Sequence, residues 1–338
     1  MADTKRVTLA TVAEATGVSI TTISKVLNGR DDVASSTRTR VEAQLERLGY
    51  ARRGESRSEL IEIVLPELDT NWSLELIEGV RDVAASSGRT IALSVNGDRH
   101  APTDEWLVDV LRRRPLGVVL VFGGLPLSGR RKLKARGIPF VILDPTGDPA
   151  PDVPAIGSGN WQGGVLATRH LIELGHHAIA AITGPDDMMS SLARLDGFRS
   201  AMSSARLQVP ADWERFGDFR IESGERIAGE ILAMAQTPTA IFAGSDLQAL
   251  GVLRAARLRG LDVPRDLSVV GYDDIPLARI TTPPLTTVHQ PLRRMAEEAT
   301  RLLLRLRDGE EPATTRIDLA TSLVVRESTV PPVSPMVE

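Results

Sequence analysis

The stretch Val7 to Asn28, VTLATVAEATGVSITTISKVLN, decides how the rest of the chain is read. Thr8 stands one residue ahead of an apolar-periodic run (Leu9, Val12, Ala13), where its hydroxyl can cap an orphan backbone N–H at a helix start. Gly17 ends that helix and supplies the positive φ that a sharp turn requires. Ser19 caps a second helix in which Ile23, Val26 and Leu27 recur at three- and four-residue spacing, so one face is buried against the first helix. The other face carries Thr21, Thr22, Ser24, Lys25 and Asn28, short hydrogen-bonding groups plus one cation, which a helix-turn-helix presents to a DNA major groove. Taken alone, the pattern fits an ordinary helical hairpin in a core as well. After a polar loop, TRTRVEAQLERL at Thr37 to Leu48 places Val41, Leu45 and Leu48 on one helical face, with Gly49 as stop. Three small helices then close one minimal core of about 50 residues, near the lower size limit for independent folding.

The run V-T-L-x-x-V-A-x-x-x-G-V-S-x-x-T-[IV]-S-K-V-L-N-G, followed by V-x-x-x-T-R and by L-G-Y ending at Tyr50, resembles the headpiece of the lactose-repressor (LacI/GalR) family. The resemblance covers the first 50 residues nearly without gaps. It implies that Ile20 and Thr21, at the start of the second helix, face base edges together with Lys25. It also implies that Thr8, Ser19, Thr22, Ser24, Asn28, Thr37 and Arg38 face phosphates. That sorting agrees with physical chemistry: hydroxyls, amides and cations fix register on the backbone, and a helix N-terminus attracts phosphate.

Residues 51–59, ARRGESRSE, form a short linker. In most members of the family a longer segment folds into a hinge helix on the operator and wedges a Leu into the minor groove. This chain departs from that pattern, because Tyr50 lies close to a first strand at Leu60, Gly54 breaks helix and no Leu precedes Leu60 in the linker. Arg52, Arg53 and Arg57 remain able to track phosphates or enter a narrow minor groove. The alternative is a merely solvated linker.

The chain is 338 residues long with 42% hydrophobic residues, enough for two domains or slightly more with real cores. The net charge of −4 hides an asymmetry: residues 1–58 hold ten Lys/Arg against seven Asp/Glu, net +3, and the remainder is net −7. One headpiece with so modest an excess binds phosphate weakly, so a homodimer that doubles the contacts is expected. Cys is absent, which excludes disulfides, thiolate metal sites and Cys nucleophiles. The polar N-terminus leaves no room for a signal peptide, and no apolar run approaches the ~20 residues of a membrane span. A soluble, cytoplasmic protein with no membrane contact is the expectation.

From Leu60 the pattern changes to short apolar runs alternating with helical stretches. Runs at 61–65, 90–95, 118–122, 139–143, 178–183, 240–243 and 269–272 alternate with helices near 74–87, 103–113, 127–136, 161–173, 192–205, 221–234 and 246–259. Continuous β-branched runs indicate parallel strands covered on both faces, hence doubly wound α/β sheets in two lobes. This part also resembles the family's effector-binding domain, itself similar to periplasmic sugar-binding proteins, in GNWQGG at Gly159, SSLARLDGF ending at Phe198, TAIFAGSD ending at Asp246, DVPRDLSVVGYDD ending at Asp274 and PPLTTVHQP ending at Pro291. The expected fold is thus a small all-α helix-turn-helix headpiece (1–50) and the linker (51–59), followed by a two-lobed periplasmic-binding-protein-like body. Its first lobe takes 60–158 plus 290–318 and its second 159–285 plus 319–330. A flexible tail, 331–338, holds three Pro and no apolar heptads, which argues against a coiled-coil tetramer.

In open α/β sheets ligands sit beyond the carboxyl ends of strands. That rule selects the segment Asp69 to Trp72, Asp144, Ser245-Asp246 and Asp273-Asp274. Carboxylates beside aromatics suit a polyhydroxylated ligand, whose hydroxyls want acceptors and whose ring face wants an aromatic plane. The family resemblance adds Arg194, Phe219, Asn160 and Gln290. The expectation is a sugar clamped between lobes by Trp72, Asn160, Arg194, Phe219, Ser245, Asp246 and Asp273, with Gln290 beside them. Each has a plainer reading: Asp246 as an N-cap, Asp273-Asp274 as caps or ion pairs, Arg194 as a solvated charge, Trp72 as core. Trp106, at helical spacing with Leu107 and Val110, is read as core.

Five scattered His form no metal pattern, GSGNWQGG lacks the ending of a phosphate loop, and no G-x-S-x-G elbow occurs, so neither an enzyme nor a resident metal or cofactor is expected. The reading is a repressor of sugar-utilisation genes on a palindromic double-stranded operator, released by a neutral sugar or small oligosaccharide. A corepressor-dependent regulator, tightened on DNA by its ligand, is the alternative.

Overall fold

A computed structural model describes residues 7–27, 30, 32–48, 59–68, 71–96, 100–121 and 123–333. At the amino end, α1 (Leu9–Thr16), α2 (Ile20–Leu27) and α3 (Ser35–Arg47) close over Val12, Val18, Ile23, Val26 and Val41. Thr8 and Thr11 form a reciprocal capping box at the start of α1, and Gly17 ends that helix with φ 66°. α3 begins two residues ahead of Thr37, its first turn closed by Arg38 N donating to the Ala34 carbonyl at 3.0 Å.

The body is built on two six-stranded sheets. The first contains β1 (Leu60–Leu65), β2 (Thr90–Val95), β3 (Gly117–Leu120), β4 (Phe140–Leu143), β5 (Ala155–Ser158) and β11 (Arg316–Leu319), in the order β11-β5-β4-β3-β1-β2. The second contains β6 (Ile179–Thr183), β7 (Glu214–Phe216), β8 (Ala240–Ala243), β9 (Ser268–Asp273), β10 (Thr286–His289) and β12 (Ser322–Val324), in the order β12-β10-β9-β8-β6-β7. Every pairing is parallel except β10 with β12. The helices that cover them are α4 (Asn71–Ser86), α5 (Asp104–Arg113), α6 (Leu127–Ala135), α7 (Asn160–Glu173), α8 (Met189–Ser204), α9 (Ile221–Ile231), α10 (Asp246–Leu258) and α11 (Leu292–Arg307). The strands β3, β6 and β8, and β1 from Ile61 onward, are buried along their length because helices lie on both faces.

The chain passes between the sheets three times: from β5 into α7, from β10 into α11, which packs on α4 and the first sheet, and from β11 to β12. The strands place the crossings after Ser158, His289 and Leu319. Five strands and α11 were not among the elements read from the sequence. β5, β7 and β12 are three- or four-residue segments (AIGS, ERF, SLV) too short to show a period, and β11 (RIDL) alternates at the sheet edge. β2 departs from the expectation of strands covered on both faces. It is an edge strand, with Leu93 and Val95 about half exposed.

Glu62 is a buried charge within the first lobe. The Glu62 carboxylate, in mid-strand on β1, accepts from Trp106 Nε1 at 2.9 Å, Ser94 Oγ at 2.6 Å and Arg113 Nη2 at 2.6 Å. Trp106 is thereby a core residue with its indole N–H satisfied, as its periodicity indicates.

Candidate functional site

Two surfaces hold the candidate residues. On the headpiece, Ile20 (49% exposed), Thr21 and Lys25 are exposed along α2, while Thr22 and Ser24 are half-buried on its flanks. Ser19 Oγ accepts from Thr22 N at 3.2 Å and lies 2.9 Å from the Thr22 hydroxyl, so the helix start is locally capped. Lys25 Nζ donates to Asp32 Oδ2 at 2.6 Å, and that hydrogen bond holds the Asp32 carboxyl below its ordinary range. Arg38 donates to the carbonyl of Arg30, tying the start of α3 to the loop, with Thr37 half-buried beside it. Asn28, Arg52 and Arg53, like the whole segment 51–58 and Asp69-Thr70, lie outside the described residues.

The second surface is a cleft between the carboxyl ends of the two sheets, a cavity of about 620 Å³. Trp72, from the first turn of α4, and Glu67, His100, Val121, Asp144 and Thr146 form the first-lobe wall. Arg194, Phe219, Arg220, Ser245 and Asp273 form the opposite wall. At this cleft Glu67 pairs with Arg220 across the lobes, and His100 Nε2 lies 3.1 Å from Asp187 Oδ2. The Met189 N–H also donates to the Thr146 carbonyl at 2.8 Å.

Arg194 organises the site. It is 3% exposed on α8, and its guanidinium stacks 3.7 Å above the Tyr272 ring, with Phe219 5.3 Å away. Its Nε donates to Asn160 Oδ1 at 2.8 Å, Nη1 to the Gly244 carbonyl at 2.5 Å and Nη2 to Gln290 Oε1 at 3.1 Å. Gln290 Nε2 in turn donates to Asp144 Oδ1 at 3.3 Å, bridging β10 to the end of β4. Asn160 and Gln290 therefore act behind the wall, holding Arg194, and neither lines the main cavity. They were expected among the ligand contacts; in the structure each amide oxygen accepts one hydrogen bond from the guanidinium.

Asp246 differs more sharply. It is fully buried at the start of α10, accepting from Thr287 Oγ1 at 2.5 Å and Ile275 N at 2.9 Å, and does not line the cavity. Burial, reinforced by the neighbouring Asp273 charge, raises its carboxyl well above the usual range. It knits β9 to β10 from within. Ser245, the residue before it, does line the cavity. Its hydroxyl caps α10 by accepting from Gln248 N at 3.1 Å and donates to the Phe219 carbonyl at 2.9 Å. The cap and the placement of Phe219 are one interaction.

Asp273 lines the cavity at the end of β9 with its carboxyl pushed up to about 7 by burial, opposed by Arg194 and aided by Asp144. Arg194 Nη1 lies 3.7 Å from Asp273 Oδ1, within ion-pair range but too far for a hydrogen bond, and that oxygen is buried without a hydrogen-bond partner. Asp144, Phe219 and Asp273 all adopt positive φ (51°, 67° and 110°), a cost that such residues bear where a site aims a side chain. Phe219 also lies over Gly184, where an added Cβ would sit 2.1 Å from the ring. Glu67, Arg220 and Tyr272 were not singled out from the sequence: the first two look like solvated loop charges, and Tyr272 reads as the end of an apolar strand. Among the described residues no group of three or more His, Asp or Glu is placed to hold a metal ion, and no helix is long and apolar enough to cross a membrane.

Comparison with known proteins agrees with this division. Residues 8–53 match the model for bacterial regulatory proteins of the lacI family, and residues 168–329 match the periplasmic binding protein-like domain. The HTH-type transcriptional repressor PurR of Escherichia fergusonii is 35% identical over 330 residues, covering 95% of this chain and 96% of that protein. Among solved structures, a complex of the transcriptional regulator CelR with cellobiose superposes with TM-score 0.73 and 33% identity, covering 96% of this chain and all of that one. The lac repressor dimer bound to operator and the anti-inducer ONPF does so with TM-score 0.69, 30% identity and the same coverage. A DNA-binding headpiece joined to a two-lobed α/β body of this kind defines a transcriptional regulator. The chain belongs to the lacI family of bacterial regulatory proteins, and is a DNA-binding transcriptional repressor rather than an enzyme.

Proposed function

We propose that this repressor controls sugar-utilisation genes and leaves a palindromic operator when a neutral sugar or small oligosaccharide enters the cleft. The observation that carries the reading is the buried, unpartnered Asp273 Oδ1 in the wall of a cavity of about 620 Å³ flanked by Trp72 and Phe219. A buried acceptor without a donor is costly, and a ligand hydroxyl supplies the donor while an aromatic face covers the apolar side of a sugar ring. Four carboxylates (Glu67, Asp144, Asp218, Asp273) stand against two guanidiniums (Arg194, Arg220) in the lining, which disfavours an anionic, phosphorylated ligand. The cellobiose bound in the CelR complex supports the same class of ligand.

On the DNA side, Ile20, Thr21 and Lys25 face base edges. Thr8, Ser19, Thr22, Ser24, Asn28, Thr37 and Arg38 meet phosphates, with Arg52 and Arg53 following them into the linker. A homodimer sets two headpieces on the two half-sites, consistent with the dimer in the lac repressor complex and with the exposed apolar edge formed by Leu93 and Val95. Ligand-driven closure of the lobes alters the separation of the headpieces, with a coupling of about 1 to 3 kcal/mol, or 5- to 150-fold in operator affinity.

A thermal-shift screen of the purified protein with neutral sugars, purines and sugar phosphates, followed by operator gel shift with the winning ligand, tests this. A neutral sugar that raises Tm and weakens the gel shift is expected. A purine or phosphorylated compound winning overturns the sugar assignment, and a sugar that tightens the gel shift makes the protein corepressor-dependent.

A further inference from the structure

A second, smaller cavity of about 210 Å³ lies behind the cleft, where two of the three chain crossings run side by side. At about 30 Å³ of liquid per water it has the room of about seven waters, enough for one small ring or polyol. The end of β5 contributes Gly157 and Ser158, the start of α7 contributes Asn160 and Trp161, and β11 contributes Arg316 and Asp318. Asp144 is common to this cavity and the cleft.

Three features mark this cavity as a binding site. The Ser158 residue is 6% exposed, lines the cavity, and its Oγ is buried with no partner. Trp161 is 46% exposed, an unusual exposure for an indole on a helix whose Val165, Ala167 and Leu171 are buried. Asp318 and Asp144 offer carboxylate acceptors, whereas Arg316 is already paired with Asp148 at 3.5 Å and Asp318 at 3.4 Å. A hydroxyl to satisfy, two acceptors, an aromatic plane and a neutralised cation make a set of contacts for a small hydroxylated molecule.

We propose that the crossover cavity binds a second small polyhydroxylated ligand, one sugar ring or a polyol of that size, in addition to the molecule in the cleft. Its occupancy is coupled to the cleft by contact. Asn160, on its wall, accepts from Arg194 Nε, and Asp144, on its wall, accepts from Gln290, which accepts from Arg194 Nη2. The inference does not rest on what the cleft itself holds.

The test uses the full chain carrying Trp72→Phe, so that fluorescence changes from the cleft tryptophan are removed and Trp161 is the half-exposed reporter. D-glucose, myo-inositol and glycerol are titrated through the millimolar range. A saturable change with at least one of them is expected, weakened tenfold or more by Asp318→Asn and by Gly157→Ala. The Ala Cβ would come within 2.6 Å of the end of the Asp318 side chain, with Pro145 Cδ at an ordinary 3.6 Å, and so displaces that carboxylate without disturbing backbone. Asp318→Asn decides alone if Gly157→Ala does not fold. The change is expected to survive Phe219→Ala, which damages the cleft. No saturable response to any of the three probes overturns the proposal. So does a response that persists in Asp318→Asn, or one that disappears with Phe219→Ala and therefore belongs to the cleft.

Discussion

The two lobes share one strand order, differing in the edge strand that is parallel in the first and antiparallel in the second, yet they bury charge in different places. In the first lobe, Glu62 sits in mid-strand on β1 with Ser94, Trp106 and Arg113 as donors, and the group is internally complete. In the second lobe the charges gather at strand ends. Asp273 carries an unpartnered oxygen, Arg194 holds three acceptors from three different elements, and Asp246 is raised by burial and by its neighbour. A satisfied network rigidifies a lobe, whereas one left incomplete at a cavity wall is completed by a ligand. The same fold thus carries a structural ionic group and a recognition group, told apart by whether every polar atom has its partner.

Several substitutions sharpen or break that distinction. Arg194→Ala leaves the acceptors on Asn160, Gly244 and Gln290 unmatched and Asp273 and Asp144 without their cation. A loss of about 3 to 5 kcal/mol in unfolding free energy is expected, with loss of ligand binding, by denaturant titration and calorimetry. An unchanged stability breaks the comparison at its centre.

The carboxyl of Asp273, at about 7 in the folded chain against an ordinary 3.8, binds its proton more tightly when folded. Folding therefore takes up protons between those values, and the unfolding free energy falls as pH rises from about 4 to about 7, by roughly 4 kcal/mol at most. Asp273→Asn is expected to flatten that slope while weakening ligand binding, and pH-dependent urea titrations of both chains read it. Operator affinity at fixed pH should be unmoved by the same change.

Glu62→Gln removes the charge that Arg113 and Trp106 share, and a cost of about 1 to 3 kcal/mol is expected with ligand affinity untouched. Arg113 is partly exposed and keeps its Asp109 partner, which holds the cost below that of Arg194. A change in ligand affinity would show that the first lobe's network is not merely structural. Phe219→Ala removes a ring facing the cavity and should weaken a sugar by about 10-fold, roughly 1.4 kcal/mol, with little change in Tm. Lys25→Ala, in the headpiece, is expected to change operator preference by about 1 kcal/mol and leave ligand affinity alone, while Asp273→Ala does the reverse. Gel shifts and calorimetry on the two variants read both arms, and swapped outcomes would reverse the assignment of the regions.

The headpiece was legible because its signals are local: a capping hydroxyl, a turn glycine and a three- and four-residue apolar period all act within one turn of helix. The sheets were legible where strands ran as unbroken β-branched segments, and illegible at β5, β7 and β12, whose partners supply what their own residues lack. At the cleft, the rule of strand ends found Trp72, Ser245 and Asp273. It did not reveal that Asn160 and Gln290 serve Arg194 or that Asp246 faces inward. Arg194's acceptors lie 34, 50 and 96 residues away along the chain, and no local pattern reports a contact across such separations. Glu62 was hidden for the same reason, since Trp106 is 44 and Arg113 51 residues further on.

The threefold passage between sheets has an engineering corollary. Each lobe is assembled from pieces that are interrupted in the chain, whereas the amino-terminal helices are one uninterrupted piece ending before β1. A chimaera that splices a foreign reading head on at residue 59 needs a single junction and disturbs no strand pairing. Exchanging one lobe for a relative's needs three junctions, each through a segment that also walls a cavity or a crossing. New DNA addresses can therefore be grafted onto this sensor far more readily than new sensor halves.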